Sequence, residues 1–141
     1  MKLAAVLPSL ILGTILVFVA GCSPSTVKAA PLSANYVAAQ EALSADNFDQ
    51  AKTALSALAA ESTGDFHKEI IAAASAADID SMRVAFRSAS DVLIKNGVPA
   101  EYAVAYCPMY KGGASWIQKK GPIDNPYMGQ KMLTCGEFKQ K

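Results

Sequence analysis

Residues 78–97 read DIDSMRVAFRSASDVLIKNG, and apolar side chains recur along them at intervals of three and four. The side chains that share this spacing are Ile79, Met82, Phe86, Ala89 and Leu93. Because an α-helix has about 3.6 residues per turn, the spacing places all of them on one face. Asp78 is a favourable residue for capping the start of a helix, and Gly97 is a favourable residue for ending one. The stretch therefore predicts a long helix with one buried face.

The residues before this helix show the same periodicity. Two earlier groups of apolar side chains are spaced by three and four: Tyr36, Ala39 and Leu43, then Phe48, Ala51, Leu55 and Leu58. Asp46 and Asn47 supply a break and a cap between the two groups, and residues 62–64, Ser-Thr-Gly, close the second. A shorter helix is expected from Asp65 to about Ala76. The sequence predicts a mainly α fold, a small bundle of about four helices.

The character of the chain changes after Pro99. Tyr102 to Tyr106 are compatible with a brief strand, whereas residues 107–136 are dense in glycine, proline, aromatic and sulfur-containing residues and show no sustained period. We expect an irregular segment that packs on the bundle. Long segments without regular structure are uncommon in a small domain unless they are fastened or carry function, so functional residues are expected here.

The N-terminus has the layout of an export signal. Lys2 supplies a positive charge, and a mostly apolar run from Leu3 to Ala20 follows it. The run ends in Val-Ala-Gly-Cys22, which resembles the bacterial lipobox, where cleavage precedes a lipid-modified cysteine. We expect a signal peptide over residues 1–21, a flexible tether over residues 22–32 that starts at lipidated Cys22, and a single helical domain over residues 33–141. A retained transmembrane anchor is the alternative.

These features predict the location of the protein. Lipidated Cys22 would hold the chain on a lipid bilayer at the bacterial cell envelope, facing the periplasm. Ser23 stands where many inner-membrane lipoproteins have an aspartate, so the outer membrane is favoured.

Composition limits the classes of function. The chain has 141 residues, enough for one domain, and a net charge of +1. Without Lys2 the remaining charges balance, so we expect no nucleic-acid binding. A single histidine and the lack of nucleophile, zinc-protease and phosphate-loop motifs predict a protein that is not an enzyme. Zinc is disfavoured because the sequence has no Cys-x-x-Cys pair.

Two short motifs in the C-terminal segment combine cysteine with methionine. Cys107-Pro-Met109 lies near the start of the segment and Met132-Leu-Thr-Cys135 near its end, with Met128 just before the second motif. Thiolates and thioethers are soft ligands, which favours Cu(I) or Ag(I). If Met132 and Cys135 lie on one helical turn, their spacing lets both sulfur atoms point the same way.

The two cysteines also allow other interpretations. Paired cysteines are common in exported domains, and a disulfide closing this loop would stabilise the fold by roughly 3 to 4 kcal/mol. Free or redox-active thiols are a third alternative. A reduced pair would bind Cu(I), while an oxidised pair would leave only the methionines. The sequence leaves these alternatives open.

Four residues outside the sulfur motifs are considered for supporting roles. Trp116 is either a cover for a bound cation or a core residue. Arg83 and Arg87 either bond carbonyl groups of the irregular segment or are solvated charges. His67 lies far from the sulfur motifs along the chain, and its role is left open.

Four motifs occur in a characteristic order: Tyr106-Cys-Pro-Met109, Ala114-Ser-Trp116, Ile123-Asp-Asn-Pro-Tyr-Met-Gly129 and Met132-Leu-Thr-Cys-Gly136. Together with Arg83, Phe86 and Ser90 on the preceding helix, they resemble the domain-of-unknown-function 3347 family over residues 33 to 138. Members occur as stand-alone exported proteins and as an end module on some copper/silver efflux adaptor proteins. Two positions depart from the family pattern: Tyr110 replaces a small residue, and Met128 replaces an aromatic residue.

The resemblance implies that the two Cys/Met motifs meet in space and that the protein takes part in heavy-metal handling. We also expect supporting roles for Asn125 and Tyr127, which lie inside the third motif. The expected function is thus a non-enzymatic, periplasm-facing lipoprotein that binds or buffers Cu(I) or Ag(I). Its ligands are expected to be Cys107, Cys135, Met109 and Met132, with Met128 as a further candidate.

The alternative is a disulfide-stabilised interaction module. In this interpretation an exposed aromatic loop with Trp116, Tyr110 and Tyr127 docks on an efflux adaptor or another envelope protein. Heavy-metal efflux components are therefore expected partners in either case.

Overall fold

Four helices form in the first two thirds of the described chain, as the periodicity predicts. In the computed structural model, which describes residues 31–140, they are α1 (Ala34–Ser44), α2 (Phe48–Glu61), α3 (Gly64–Ala74) and α4 (Ile79–Asn96). The signal peptide, the lipidation of Cys22 and most of the tether fall outside the described residues. Among the helices of residues 31–140, none combines the length and apolarity needed to span a bilayer.

Helix ends follow from local capping chemistry. The side chain of Asn47 accepts a hydrogen bond from the backbone N–H of Gln50, and Asp78 accepts one from the N–H of Ser81. These bonds satisfy amide groups that have no partner inside the helix. Gly97 ends α4 with φ of 101°, a conformation that favours glycine. The predicted caps and stop are confirmed.

The apolar faces of the four helices form one core. Met82, Phe86 and Ala89 of α4 are fully buried, as are the predicted core residues of α1 and most of those of α2. Each helix packs against the next one along the chain. The ring of Phe86 stacks on Tyr36 of α1 with centroids 5.1 Å apart. This face of α4 therefore contacts both the other helices and the C-terminal segment.

The C-terminal segment forms a three-stranded antiparallel sheet in the order β2-β1-β3. Its strands are β1 (Tyr102–Cys107), β2 (Ala114–Lys119) and β3 (Glu137–Phe138), and a short 3-10 helix spans Gly129–Met132. The brief first strand was expected, but the expectation of irregular backbone throughout residues 107–136 is wrong for β2. Five of the six β2 residues are buried. A strand covered on both faces shows no polar/apolar alternation, so the sequence gives no period-two signal.

Two tyrosine hydroxyls cover the outer edge of β2. The N–H of Ile117 donates to Tyr36 Oη at 3.2 Å, and Tyr127 Oη donates to the carbonyl oxygen of Ser115 at 2.7 Å. Burial raises the pKa of Tyr36 to about 12, so its hydroxyl stays protonated at neutral pH. Edge groups left unpaired in the interior would be costly. The two hydroxyls thereby fasten the sheet to α1 and to the loop that carries Tyr127.

Candidate functional site

Cys107 and Cys135 lie side by side, although 28 positions separate them in the chain. Their Sγ atoms are 3.1 Å apart and are not bonded to each other. Cys107 is the last residue of β1 and is fully buried, whereas Cys135 is half-buried. The sequence-based expectation that these two thiols meet in space is confirmed.

Strand pairing brings the thiols together. Ala105 of β1 pairs with Phe138, and Tyr106 pairs with Glu137. Continuing this antiparallel register by one position places Gly136 opposite Cys107, which leaves Cys135 beside the Cys107 thiol. The short β3 strand therefore sets the position of Cys135.

Gly136 makes this close approach possible. Its φ is 141°, and a Cβ atom there would lie 2.9 Å from the carbonyl oxygen of Tyr106 and 3.0 Å from the ring of Trp116. Real Cβ atoms almost never come this close to backbone, so a side chain would push the segment away from β1. Glycine after Cys135 is thus a steric requirement of the site.

Asn125 holds the backbone at Cys135 through hydrogen bonds. Its Nδ2 donates to the carbonyl oxygen of Cys135 at 2.6 Å, and its Oδ1 accepts from the N–H groups of Tyr127 and Met128. Its own N–H donates to the carbonyl oxygen of Leu133 at 2.8 Å. The side chain is fully buried, so these bonds are not exchanged for water. Asn125 thus supports the site, as its place in the third motif implies.

Arg83 attaches the same loop to the helices. Its Nε donates to the carbonyl oxygen of Pro126 at 2.8 Å, and its Nη2 donates to that of Leu43 at 2.9 Å. It also forms an ion pair with Asp46, which follows α1. The hydrogen bond from Arg83 lowers the pKa of the Asp46 carboxyl, and the N–H of Gln130 lowers it further. The predicted bonding of the C-terminal segment by Arg83 is present.

Arg87 has a weaker contact of the same kind. Its Nη1 donates to the carbonyl oxygen of Lys111 at 3.3 Å, in an exposed position. Arg83 is therefore the main basic residue that ties α4 to the segment.

The aromatic residues expected to be exposed are core residues. Tyr127 stacks on Tyr110 with centroids 4.9 Å apart and meets the edge of Trp116 at 5.7 Å. The exposed fractions of these side chains are 2% for Tyr127, 8% for Tyr110 and 0% for Trp116. The expectation of an exposed aromatic docking loop is wrong, because stacking the rings on each other and on Phe86 removes their large apolar area from water. Trp116 follows the core interpretation instead.

The three methionines differ in exposure. Met109 is 66% exposed and Met132 is 39% exposed, whereas Met128 is half-buried and packs against the core. The N–H of Cys135 donates to the carbonyl oxygen of Met132 at 3.0 Å, so the two residues lie on one tight turn, as predicted. Side chains three residues apart are nearly eclipsed in such a turn. Met132 is therefore the methionine whose backbone is hydrogen-bonded directly to Cys135.

Two properties of the thiols bear on their chemistry. The hydrogen bond with Cys107 and, to a smaller extent, burial raise the pKa of the Cys135 thiol, so it is protonated at neutral pH. In residues 31–140, no three His, Cys, Asp or Glu side chains converge as a metal-ligand group. A pair of thiols fits a soft ion of low coordination number and supplies too few ligands for four-coordinate zinc.

His67 belongs to a different part of the fold. Its Nδ1–H donates to the carbonyl oxygen of Ala59 at 3.0 Å, next to the hydroxyl of Ser62. These contacts tie the start of α3 to the end of α2. A local structural role accounts for the only histidine in the chain.

Three buried polar residues that hold the segment were missed at the level of sequence. Gln40 Nε2 donates to the carbonyl oxygen of Asp124 at 2.7 Å, and the hydroxyl of Ser44 lies 3.0 Å from the same oxygen. Gln118 Oε1 accepts from the N–H of Asp124 and from Trp116 Nε1. For Gln40 and Ser44, a signal was available in the sequence. They follow Tyr36 at intervals of four, which places them on the buried face of α1.

Comparison with protein-family models, with curated proteins and with solved structures finds no match to this chain.

Proposed function

We propose that this protein binds a soft monovalent ion, Cu(I) or Ag(I), through the thiolates of Cys107 and Cys135, with no catalytic activity of its own. The observation that carries the proposal is the 3.1 Å approach of two unbonded thiols. Sulfur ligands select soft ions over the harder divalent ions, and two of them suffice for ions that accept low coordination numbers.

The surroundings of the thiols support this function. Gly136 and Asn125 hold the backbone of Cys135, and Arg83 holds the loop next to it, so the pair is positioned before any ion arrives. Preorganised ligands lose little conformational entropy on binding. Cys135 is half-buried, so an ion can reach the pair from solvent on its side. Binding would release the thiol protons, which makes the affinity fall as the pH is lowered.

Thioether ligands would complete the site. Met132 is the first candidate because it shares a turn with Cys135 and is partly exposed. Met109 follows Cys107 by two residues and is well exposed, which leaves its thioether free to turn toward an ion. Met128 is the weakest candidate because it packs against the core.

The proposed location follows from the N-terminal sequence. A lipid-modified Cys22 would place the domain on the bilayer of the bacterial envelope, facing the periplasm, with the outer membrane favoured. There the protein would buffer the ion or pass it to heavy-metal efflux components. The resemblance to a module of copper/silver efflux adaptors supports this role. Metabolic labelling with a radioactive fatty acid tests the anchor: the label should be lost in Cys22→Ala and kept in Cys107→Ser.

A competition titration tests metal binding. The reduced full-length chain, with Cys22→Ser as the background for every variant, is titrated with Cu(I) against a chromogenic Cu(I) chelator, and with Ag(I) in parallel. We expect one ion per chain to be withdrawn from the chelator, and we expect a Cys107→Ser, Cys135→Ser double variant to withdraw none. Equal affinities of the two chains would refute the proposal.

Methionine variants test the additional ligands. Met132→Leu removes the thioether that shares a turn with Cys135, and Met82→Leu removes one from the core of α4 at a similar change in volume. We expect weaker Cu(I) binding in Met132→Leu and unchanged binding in Met82→Leu. An unchanged affinity in both variants would exclude Met132 as a ligand.

A further inference from the structure

We infer that Cys107 and Cys135 also form a reversible thiol–disulfide couple, in which Cys135 exchanges with an external disulfide and Cys107 completes the internal bond. This activity requires no metal, so it stands independently of the function proposed above.

The distance between the sulfur atoms is the first observation. They are 3.1 Å apart, and a disulfide needs about 2.05 Å, so bond formation requires a displacement on the order of 1 Å. The half-buried turn that carries Cys135 supplies this displacement more readily than β1, which pairs with strands on both sides. No helix has to move.

The unequal exposure of the thiols is the second observation. Cys107 is fully buried, and its strand partner Ala114 is buried as well. Cys135 is half-buried and lies in the non-helical stretch between the 3-10 helix and β3. An external disulfide can therefore reach only Cys135. This assigns the entry role to Cys135 and the resolving role to Cys107.

The third observation is that the frame around the pair does not depend on a covalent bond. The backbone of residues 133–138 is held by Asn125, by the steric fit of Gly136 and by pairing with β1. These contacts are present with both thiols reduced. Reduction therefore releases no strand, and the pair can cycle while the fold persists.

The exchange proceeds in two balanced steps. Cys135 first loses its proton to solvent, and the thiolate then attacks one sulfur of a low-molecular-weight disulfide, or of an oxidoreductase disulfide, and the other half leaves as a thiolate. The Cys107 thiolate then attacks Cys135 Sγ and expels the second half. Two protein thiols are oxidised, one external disulfide is reduced to two thiols, and these take up the two protons that the cysteines lost.

Trapping experiments with oxidised glutathione test the assignment, using the full-length chain with Cys22→Ser as the background for every variant, so that only Cys107 and Cys135 can react, and a chelator to exclude metal. Cys107→Ser should accumulate a mixed disulfide at Cys135, seen as a mass increase that dithiothreitol removes. Cys135→Ser should form an adduct at Cys107 more slowly by roughly tenfold or more, because access limits exchange. Equal rates in the two variants, or no adduct in Cys107→Ser, would overturn the assignment.

The Cys22→Ser chain gives a test that keeps both thiols of the pair. Oxidised glutathione should convert it to an internal disulfide with no lasting adduct, and dithiothreitol should restore two thiols without loss of its near-ultraviolet circular dichroism. Disulfide-linked dimers, failure to oxidise, or a bond that is reduced only on unfolding would each overturn the inference. Because both tests are run without metal, their outcome is separate from that of the Cu(I) titration.

Discussion

The helical region and the C-terminal segment are held by different kinds of contact. Residues 34–96 bury repeated apolar faces, so the packing of the helices is distributed over many side chains. Residues 102–138 bury an aromatic cluster as well, but the position of Cys135 depends on a few single contacts, above all those of Asn125, Arg83 and Gly136. In the described residues every buried side-chain nitrogen and oxygen has a partner, which shows how fully these contacts are used. The repeated apolar faces form the helical bundle, and the single contacts position the two thiols against it.

The largest expected effect comes from Phe86, which belongs to both regions. Its ring stacks on Tyr36 and lies 6.3 Å from the ring of Tyr127. Phe86→Ala leaves a cavity at their junction and should lower the free energy of unfolding by about 3 to 5 kcal/mol. Chemical denaturation followed by circular dichroism and by Trp116 fluorescence measures this.

The control for this experiment is Val84→Ala. Val84 lies in α4 two positions before Phe86, and its side chain is 44% exposed. It should change the free energy by only about 0.5 kcal/mol. If the regions form one cooperative unit, both signals shift together in Phe86→Ala. Separate transitions would show that the segment unfolds on its own and would sharpen the contrast.

Asn125 should give the next largest effect, confined to the segment. Asn125→Ala leaves the carbonyl oxygen of Cys135 and two loop N–H groups without partners, and should cost about 2 to 3 kcal/mol. Alkylation of Cys107, measured by mass spectrometry, should become faster because the Cys135 segment is held less firmly against it. Asn96→Ala, at the exposed end of α4, is the control and should leave both quantities unchanged. Slow alkylation in Asn125→Ala would argue that other contacts position Cys135.

Gly136 offers a way to separate crowding from backbone strain. Gly136→Ala meets Tyr106 and Trp116, whereas Gly112→Ala, with φ of 80°, meets nothing within 4 Å. Both variants force alanine into a conformation that glycine favours, so both should lose about 1 kcal/mol. The additional clash should cost Gly136→Ala a further 1 to 2 kcal/mol or so and slow disulfide formation. Equal losses would mean that β3 can shift without harm.

The same contrast explains what the sequence could predict. The stripe from Ile79 to Leu93 predicts α4 because burial repeats every turn, and Asn47, Asp78 and Gly97 mark helix ends by their own chemistry. The meeting of Cys107 with Cys135 was expected from the resemblance of their motifs to a family, and the structure brings them together.

Features that depend on a single distant contact could not be predicted in this way. Strand β2 gave no periodic signal because it is buried on both faces. One of the two hypotheses placed Tyr110, Trp116 and Tyr127 on an exposed loop, and only the three-dimensional packing of Tyr127 against Tyr110 and Trp116 shows that they are buried. Gln40 and Asp124 lie 84 residues apart, and nothing in the sequence pairs them.

The smallest expected effect concerns Asp46, the link between Arg83 and the loop after α1. Its pKa is lowered in the folded chain, so its contribution is present above the pKa of the unfolded state, near 3.8, and is lost as the pH falls through the lower folded value. The side chain is 45% exposed, so solvent screening keeps this contribution below about 1 kcal/mol. Asp46→Asn should lower stability slightly at pH 7 and less at acid pH, measured by denaturation at both. Glu137→Gln, an exposed carboxylate of β3, is the control. A loss in Asp46→Asn that is independent of pH would show that the charge of Asp46 is not needed and that its hydrogen bond to the loop is. The ion pair with Arg83 would then have no part in joining the two regions.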